Sequence, residues 1–115
     1  VIRVGNVKKE PGVYIGRFVR RYNLRASPLH NPFRIGRNRD GRTLNRTEAI
    51  AEFERIFRAE VRVGCLGEEA QRLLGDLVRR ERAGEEIVLV CWCAPLVCHG
   101  DVVAAVVREL ARRST

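Results

Sequence analysis

An α/β fold, a small sheet with flanking helices in a single domain, is predicted by three observations. The run Ile87-Val88-Leu89-Val90-Cys91 is apolar at every position, the pattern of a strand buried on both faces of a sheet. Apolar residues recur at helical spacing in two stretches before that run and in one after it. The run then passes through a short loop into the last helix, a Rossmann-like strand–loop–helix unit of the kind where α/β proteins place their chemistry. With 115 residues the chain has room for one core, so residues 1–115 read as one domain.

Each element follows from local signals. Ile2 and Val4 alternate within Val1 to Val7 and predict an opening strand. Pro11-Gly12 turns the chain, and Val13-Tyr14-Ile15 reads as a second short strand. From about residue 16 to 46 no period persists; Ser27-Pro28, Asn31-Pro32, Gly36 and Asp40-Gly41 punctuate a long loop, with Leu29, Phe33 and Ile35 as apolar anchors. Thr47 reads as an N-cap with Glu48 in the first turn, and Ile50, Phe53, Ile56 and Phe57 form the apolar stripe of a helix reaching about Glu60. Gly64 and Gly67 bracket a connection to a second helix, from about Glu68 to Arg82, that buries Leu73, Leu74, Leu77 and Val78. Ala83-Gly84 closes it. The last helix begins at Gly100 or Asp101 and buries Val103, Val106, Val107 and Leu110. The order β-β-loop-α-α-β-α fits two or three layers.

Composition limits the functional classes. Hydrophobic residues at 45% and charged residues at 31% describe an ordinary globular protein. No apolar stretch approaches the roughly 20 residues of a membrane span. The segment from Val1 lacks the charged and apolar blocks of a secretion signal, so a cytoplasmic location is expected; the missing initiator methionine points to a few residues upstream. Three of the four cysteines crowd into one loop, which disfavours a disulfide framework and favours metal or catalytic roles.

Charge is segregated along the chain. Residues 1–46 hold 12 basic and 2 acidic residues, whereas residues 47–115 hold 10 basic and 12 acidic. All but Lys8 and Lys9 of the 22 basic residues are arginine, and nine of these lie between Arg17 and Arg46 against the single acid Asp40. Planar bidentate cations placed on one side suit phosphate, so nucleic acid or a nucleotide is the expected partner; the alternative is a solvated surface of an arginine-rich protein.

The segment Cys91-Trp92-Cys93-Ala94-Pro95-Leu96-Val97-Cys98-His99-Gly100-Asp101 concentrates the reactive groups. Cys91, Cys93, Cys98 and His99 supply a donor set for zinc or an iron–sulfur centre, although four ligands within nine residues lack the paired spacing of common sites. Cys98, just before a helix, sits where unpaired N–H groups and the helix dipole lower a thiol pKa, with His99 as base or ion-pair partner; these two are the candidate catalytic residues. The same helix start, at Gly100 and Asp101, can instead take a phosphate. The third reading is structural: Cys91 and Cys65 as small core residues, and Trp92 as a core plate or pocket wall on the face opposite Cys91 and Cys93. In the long loop, Asn31 before Pro32 either presents its amide to a ligand or caps its own turn.

Val13-Tyr14-Ile15-Gly16-Arg17, then Ser27-Pro28-Leu29 with Asn31-Pro32-Phe33 and Ile35-Gly36, and finally Cys91-Trp92-Cys93-Ala94-Pro95 with Cys98-His99-Gly100-Asp101-Val102 occur together in this order. On these motifs the chain resembles the phage and bacterial family called domain of unknown function 4326. His30 stands where the family usually looks like glycine, and the stretch Arg37 to Asn45 is longer than usual. The resemblance implies an α/β plan with a pocket at the final strand–helix crossover, and no settled activity.

Together these readings predict a nucleotide- or nucleic-acid-directed α/β domain, with enzymatic action on that ligand left open. The expected binding residues are Arg17, Asn31, Arg34, Arg37, Cys93, Gly100 and Asp101, with Arg17 and Arg34 as anion clamps. The alternative is a metal-stabilised interaction module holding zinc or an iron–sulfur centre. A third possibility is a small regulator that binds another protein.

Overall fold

In the computed structural model, which describes residues 1–113, the strands are Ile2–Asn6 (β1), Val13–Tyr14 (β2), Gly36–Arg37 (β3), Thr43–Leu44 (β4) and Ile87–Cys91 (β5). The helices are Arg46–Val63 (α1), Glu68–Arg82 (α2) and His99–Arg112 (α3). The apolar run becomes the middle of a parallel sheet ordered β1-β5-β2, with Leu89 paired to Val4 on one side and to Val13 on the other. Central position pairs both backbone edges of β5, and packing against its faces accounts for its apolar side chains.

Ile87, Leu89 and Cys91 share one core with Ile2 and with the apolar stripes of all three helices. Leu77, Leu89, Val103 and Val107 are completely buried there. Each such side chain contributes about 1.5–3 kcal/mol relative to exposure. The opposite side of β5 is thinner. Val88 is half-buried, and the β1–β2 connection covers it so closely that a Cβ on Gly12 would stand 2.4 Å from the Val88 carbonyl oxygen. The domain therefore has two layers, helices on one face of the sheet, rather than three.

Two local expectations are corrected. The cap of α1 is Asn45, not Thr47: the Asn45 side chain accepts from the Glu48 N–H and the Glu48 carboxylate accepts from the Asn45 N–H, both at 2.8 Å. Asparagine with a glutamate three residues on makes a reciprocal capping box, which Thr47 cannot form because Ile50 stands three residues after it. The helix also runs on to Val63, where Gly64 ends it at φ 73°. The long loop is not structureless. It holds a 3-10 turn at Arg20–Tyr22 and the antiparallel pair β3–β4. Leu29 is buried as expected, but Ile35 is exposed. Among the described residues no helix is long and apolar enough to cross a membrane.

Candidate functional site

β2 and β5 run parallel and in register, Tyr14 beside Val90, so the residues following each strand leave the sheet at the same edge. The chain after β2 carries Gly16, Arg17 and Phe18; the chain after β5 carries Trp92 and Cys93 and returns at Cys98 to start α3. These segments, with residues from the long loop and the start of α1, enclose a cavity of about 590 Å³. It lies at the carboxyl ends of parallel strands, where α/β sheets leave a crevice.

Its lining is one-sided in charge. Arg17, Arg34 and Arg46 contribute cations, and no aspartate or glutamate lines it. Tyr14, Phe18, Phe33 and Trp92 supply aromatic walls. Arg17 is the best anchored of the three arginines. Its Nε donates to the Asn31 carbonyl at 2.9 Å and its Nη2 donates to the Phe33 carbonyl. Burial, and then the like charge of Arg34, push the Arg17 pKa down, while Cys93 acts in the opposite direction. With an ordinary value of 12.5 the group stays cationic at neutral pH, and the direction of the shift marks a cation that lacks a carboxylate partner. Arg46 reaches the Cys loop, donating through Nη1 to the Val97 carbonyl at 3.2 Å.

The Cys loop is held by other residues. Asn6, at the end of β1, donates through Nδ2 to the Ala94 carbonyl at 2.8 Å. Trp92 Nε1 donates to the Tyr14 hydroxyl at 3.0 Å, which in turn donates to the Arg17 carbonyl at 2.6 Å. This places Trp92 on the cavity side together with Cys91 and Cys93, correcting the expectation that it faces away from them. The alternation fails because β5 ends at Cys91 and the chain bends at residues 92–93.

Cys98 is the N-cap of α3. Its Sγ accepts from the Gly100 N–H at 3.3 Å, and the Asp101 carboxylate accepts from the Cys98 N–H at 3.0 Å. Cys98 Sγ also lies 3.1 Å from Cys91 Sγ. The hydrogen bond with Cys98 brings the Cys91 thiol down to about 6, against the opposing effect of burial. The same contact, together with burial, pushes Cys98 strongly upward. The lowered thiol is thus Cys91, not the Cys98 expected from its helix position. His99 is buried, with Nε2 2.8 Å from the Ile15 carbonyl and its ring edge-on to Phe53 at 5.1 Å. Burial lowers its pKa more than the Ile15 contact raises it, so His99 is held neutral.

The structure brings Arg17, Asn31, Arg34, Cys93, Cys98 and His99 to one cavity and leaves three expected residues outside its lining. Arg37 is exposed on β3, Gly100 is buried in the first turn of α3 against Ile15, and Asp101 is an exposed capping residue. Asn31 serves its own turn, its Oδ1 accepting from the Phe33 N–H at 2.8 Å, while its Nδ2 donates to the Ala49 carbonyl at 3.3 Å. Among the described residues no three His, Cys, Asp or Glu side chains form a metal-ligating group. Cys91, Cys93, Cys98 and His99 therefore do not converge as a ligand set. Sequence reasoning missed Tyr14, Phe18, Phe33 and Arg46 as lining residues, because β2 and its exit, the long loop and the start of α1 meet only in the fold and no spacing joins them.

Comparison with protein-family sequence models matches residues 3–109 to Domain of unknown function (DUF4326). The chain belongs to this family. The DUF4326 match runs from β1 into the last turns of α3 and includes every residue lining the cavity. No match to a curated protein or to a solved structure was found.

Proposed function

We propose that this DUF4326 domain binds a nucleic-acid strand and seats one nucleotide in the arginine-lined cavity. The observation that carries this reading is the coincidence of three arginines, four aromatic side chains and no carboxylate in one cavity. A phosphate takes charge-assisted hydrogen bonds from the guanidinium groups, each worth about 1.5–3 kcal/mol. A base stacks on an aromatic wall for about 1–3 kcal/mol. Cys98 and His99 serve this reading as architecture, one capping α3 and the other tying α3 to Ile15.

A strand is favoured over a free nucleotide by what surrounds the cavity. Tyr22, half exposed, packs on Trp92 with ring centroids 5.1 Å apart. Lys8 lies over the Trp92 ring at 5.7 Å and Arg21 over the Tyr22 ring at 5.6 Å. Arg20 and Arg25 are exposed on the same segment. Aromatic rings interleaved with cations form a surface suited to stacked bases and their phosphates.

The test is a salt titration with short single-stranded DNA and RNA, read on the emission of Trp92, the only tryptophan in the chain. Three phosphate contacts on a single strand predict a slope of about −2 for log K against log salt. An affinity indifferent to salt, or no binding to either polymer, overturns the proposal.

A further inference from the structure

The floor of the cavity contains chemistry that phosphate binding does not use. Cys91 closes β5 and Cys98 opens α3, so the strand–loop–helix crossover folds two thiols from opposite ends of one loop onto each other, Sγ to Sγ 3.1 Å. Both side chains line the cavity, although each residue is nearly inaccessible overall. Cys93 lines the same cavity but has no such thiol partner among the described residues, and Cys65 lies exposed between α1 and α2.

We propose that Cys91 and Cys98 are a redox-active dithiol, closed to an internal disulfide by a peroxide small enough to enter the cavity. The geometry asks for little movement. A disulfide needs the sulfurs at about 2.0 Å, roughly 1 Å nearer than they stand, and the intervening loop absorbs such a shift more easily than strand and helix do. The direction of attack also follows. Either sulfur can donate across this contact, but the backbone N–H groups of both Cys93 and Ala94 favour the Cys91 thiolate, against the single Gly100 N–H at Cys98, so Cys91 is the sulfur that reacts with peroxide.

The chemistry balances without a further reactant. The Cys91 thiolate attacks one peroxide oxygen, the O–O bond breaks, and the departing hydroxide takes a proton as water, leaving a sulfenic acid on Cys91. The Cys98 sulfur then attacks the Cys91 sulfur and the S–O bond breaks. Hydroxide leaves with the Cys98 proton as a second water. Two thiols have lost two electrons and two hydrogens, and one hydrogen peroxide has become two waters. This inference does not rest on the nucleic-acid reading, because a cavity that bound no nucleotide would still hold the two thiols.

The full chain carrying C65S tests it. The protein is exposed to hydrogen peroxide, unfolded, capped with N-ethylmaleimide and weighed intact. Capping is expected to fall from three thiols to one, with loss of two hydrogens and full recovery in dithiothreitol, and fragmentation is expected to place the remaining cap on Cys93. Adding C98S should stop the reaction at a Cys91 sulfenic acid trapped by dimedone, and adding C91S should abolish it. Where either variant loses helix signal by circular dichroism, the fragmentation map of the C65S protein decides alone. Three caps remaining after peroxide, a cap found on Cys91 or Cys98, or oxidation of Cys91 to sulfinic acid without disulfide overturns the proposal.

Discussion

Two cavities of similar size lie on either side of the loop around Phe33, and they differ in sign. The one at the strand ends, about 590 Å³, is lined by Arg17, Arg34 and Arg46 with no carboxylate. The other, about 510 Å³ between the loop, α1 and α2, is lined by Glu60, Glu68 and Glu69 with no arginine or lysine. Phe33 lines both, and His99 in the first packs edge-on against Phe53 in the second. Apolar walls are thus common to both cavities, and what distinguishes them is which charged residues the chain brings to each rim. Volume and greasiness alone single out neither. The arginine cavity gains its distinction from topology, since only it receives the ends of β2 and β5 and the start of α3.

That contrast can be broken most severely by removing its cations. R17A combined with R34A should weaken binding of a single-stranded oligonucleotide by about 100-fold or more, since two charge-assisted contacts of about 1.5 kcal/mol or more are lost. Fluorescence anisotropy with a labelled strand measures it. On the same assay W92A should cost about 1–3 kcal/mol, or about 5- to 150-fold, through lost stacking.

The architecture under the arginine cavity offers the next perturbation. A Cβ on Gly100 would stand 2.6 Å from Cδ1 of the fully buried Ile15 and 3.2 Å from Cγ2 of Val4, which packs against the core. Gly100→Ala should therefore destabilise the fold by about 1–3 kcal/mol in urea unfolding. A smaller effect comes from His99, whose burial lowers its pKa below the ordinary 6.5. The unfolded chain then binds the proton first, so His99 costs no stability above about pH 6.5 and a growing amount as pH falls from there to its folded value. Urea midpoints measured from pH 7.5 to 5 should fall more steeply in the parent than in H99Q, which has no titrating ring. The smallest effect belongs to the acidic cavity: E68Q with E69Q should leave oligonucleotide affinity within about twofold, because exposed charges contribute little across a shared wall.

How much of this was legible in the sequence depended on whether the signal was local. The β5 run and the stripes Phe53–Phe57, Leu74–Leu77–Val78 and Val103–Val106–Val107 could be read directly, since burial imposes a period on consecutive residues. β3 and β4 could not, because two-residue strands have no period to show. Asn45 lost to Thr47 as the expected cap because both residue types accept from a helix N-terminus, and only the reciprocal Glu48 bond separates them. The cavity itself was half legible. Arg17 and Arg34 stood out as charge without acids, and Cys98-His99 as reactive types at a helix start. The roles did not follow from residue type: Cys98 is committed to the cap and to Cys91, and His99 to Ile15. Tyr14, Phe18 and Arg46 join the site only through the register of β2 on β5 and the packing of α1, which no local spacing shows.

Phosphate recognition by the arginine cavity is tested by comparing strands that differ only in backbone charge. One short strand is prepared with ordinary phosphodiester linkages and again with neutral methylphosphonate linkages, and each is titrated into the protein while Trp92 emission is followed. The charged strand is expected to shift the emission of Trp92, and the neutral strand to bind at least about 100-fold more weakly, the equivalent of two or more guanidinium–phosphate contacts. Equal affinity for the two strands, or an emission that responds to neither, contradicts it.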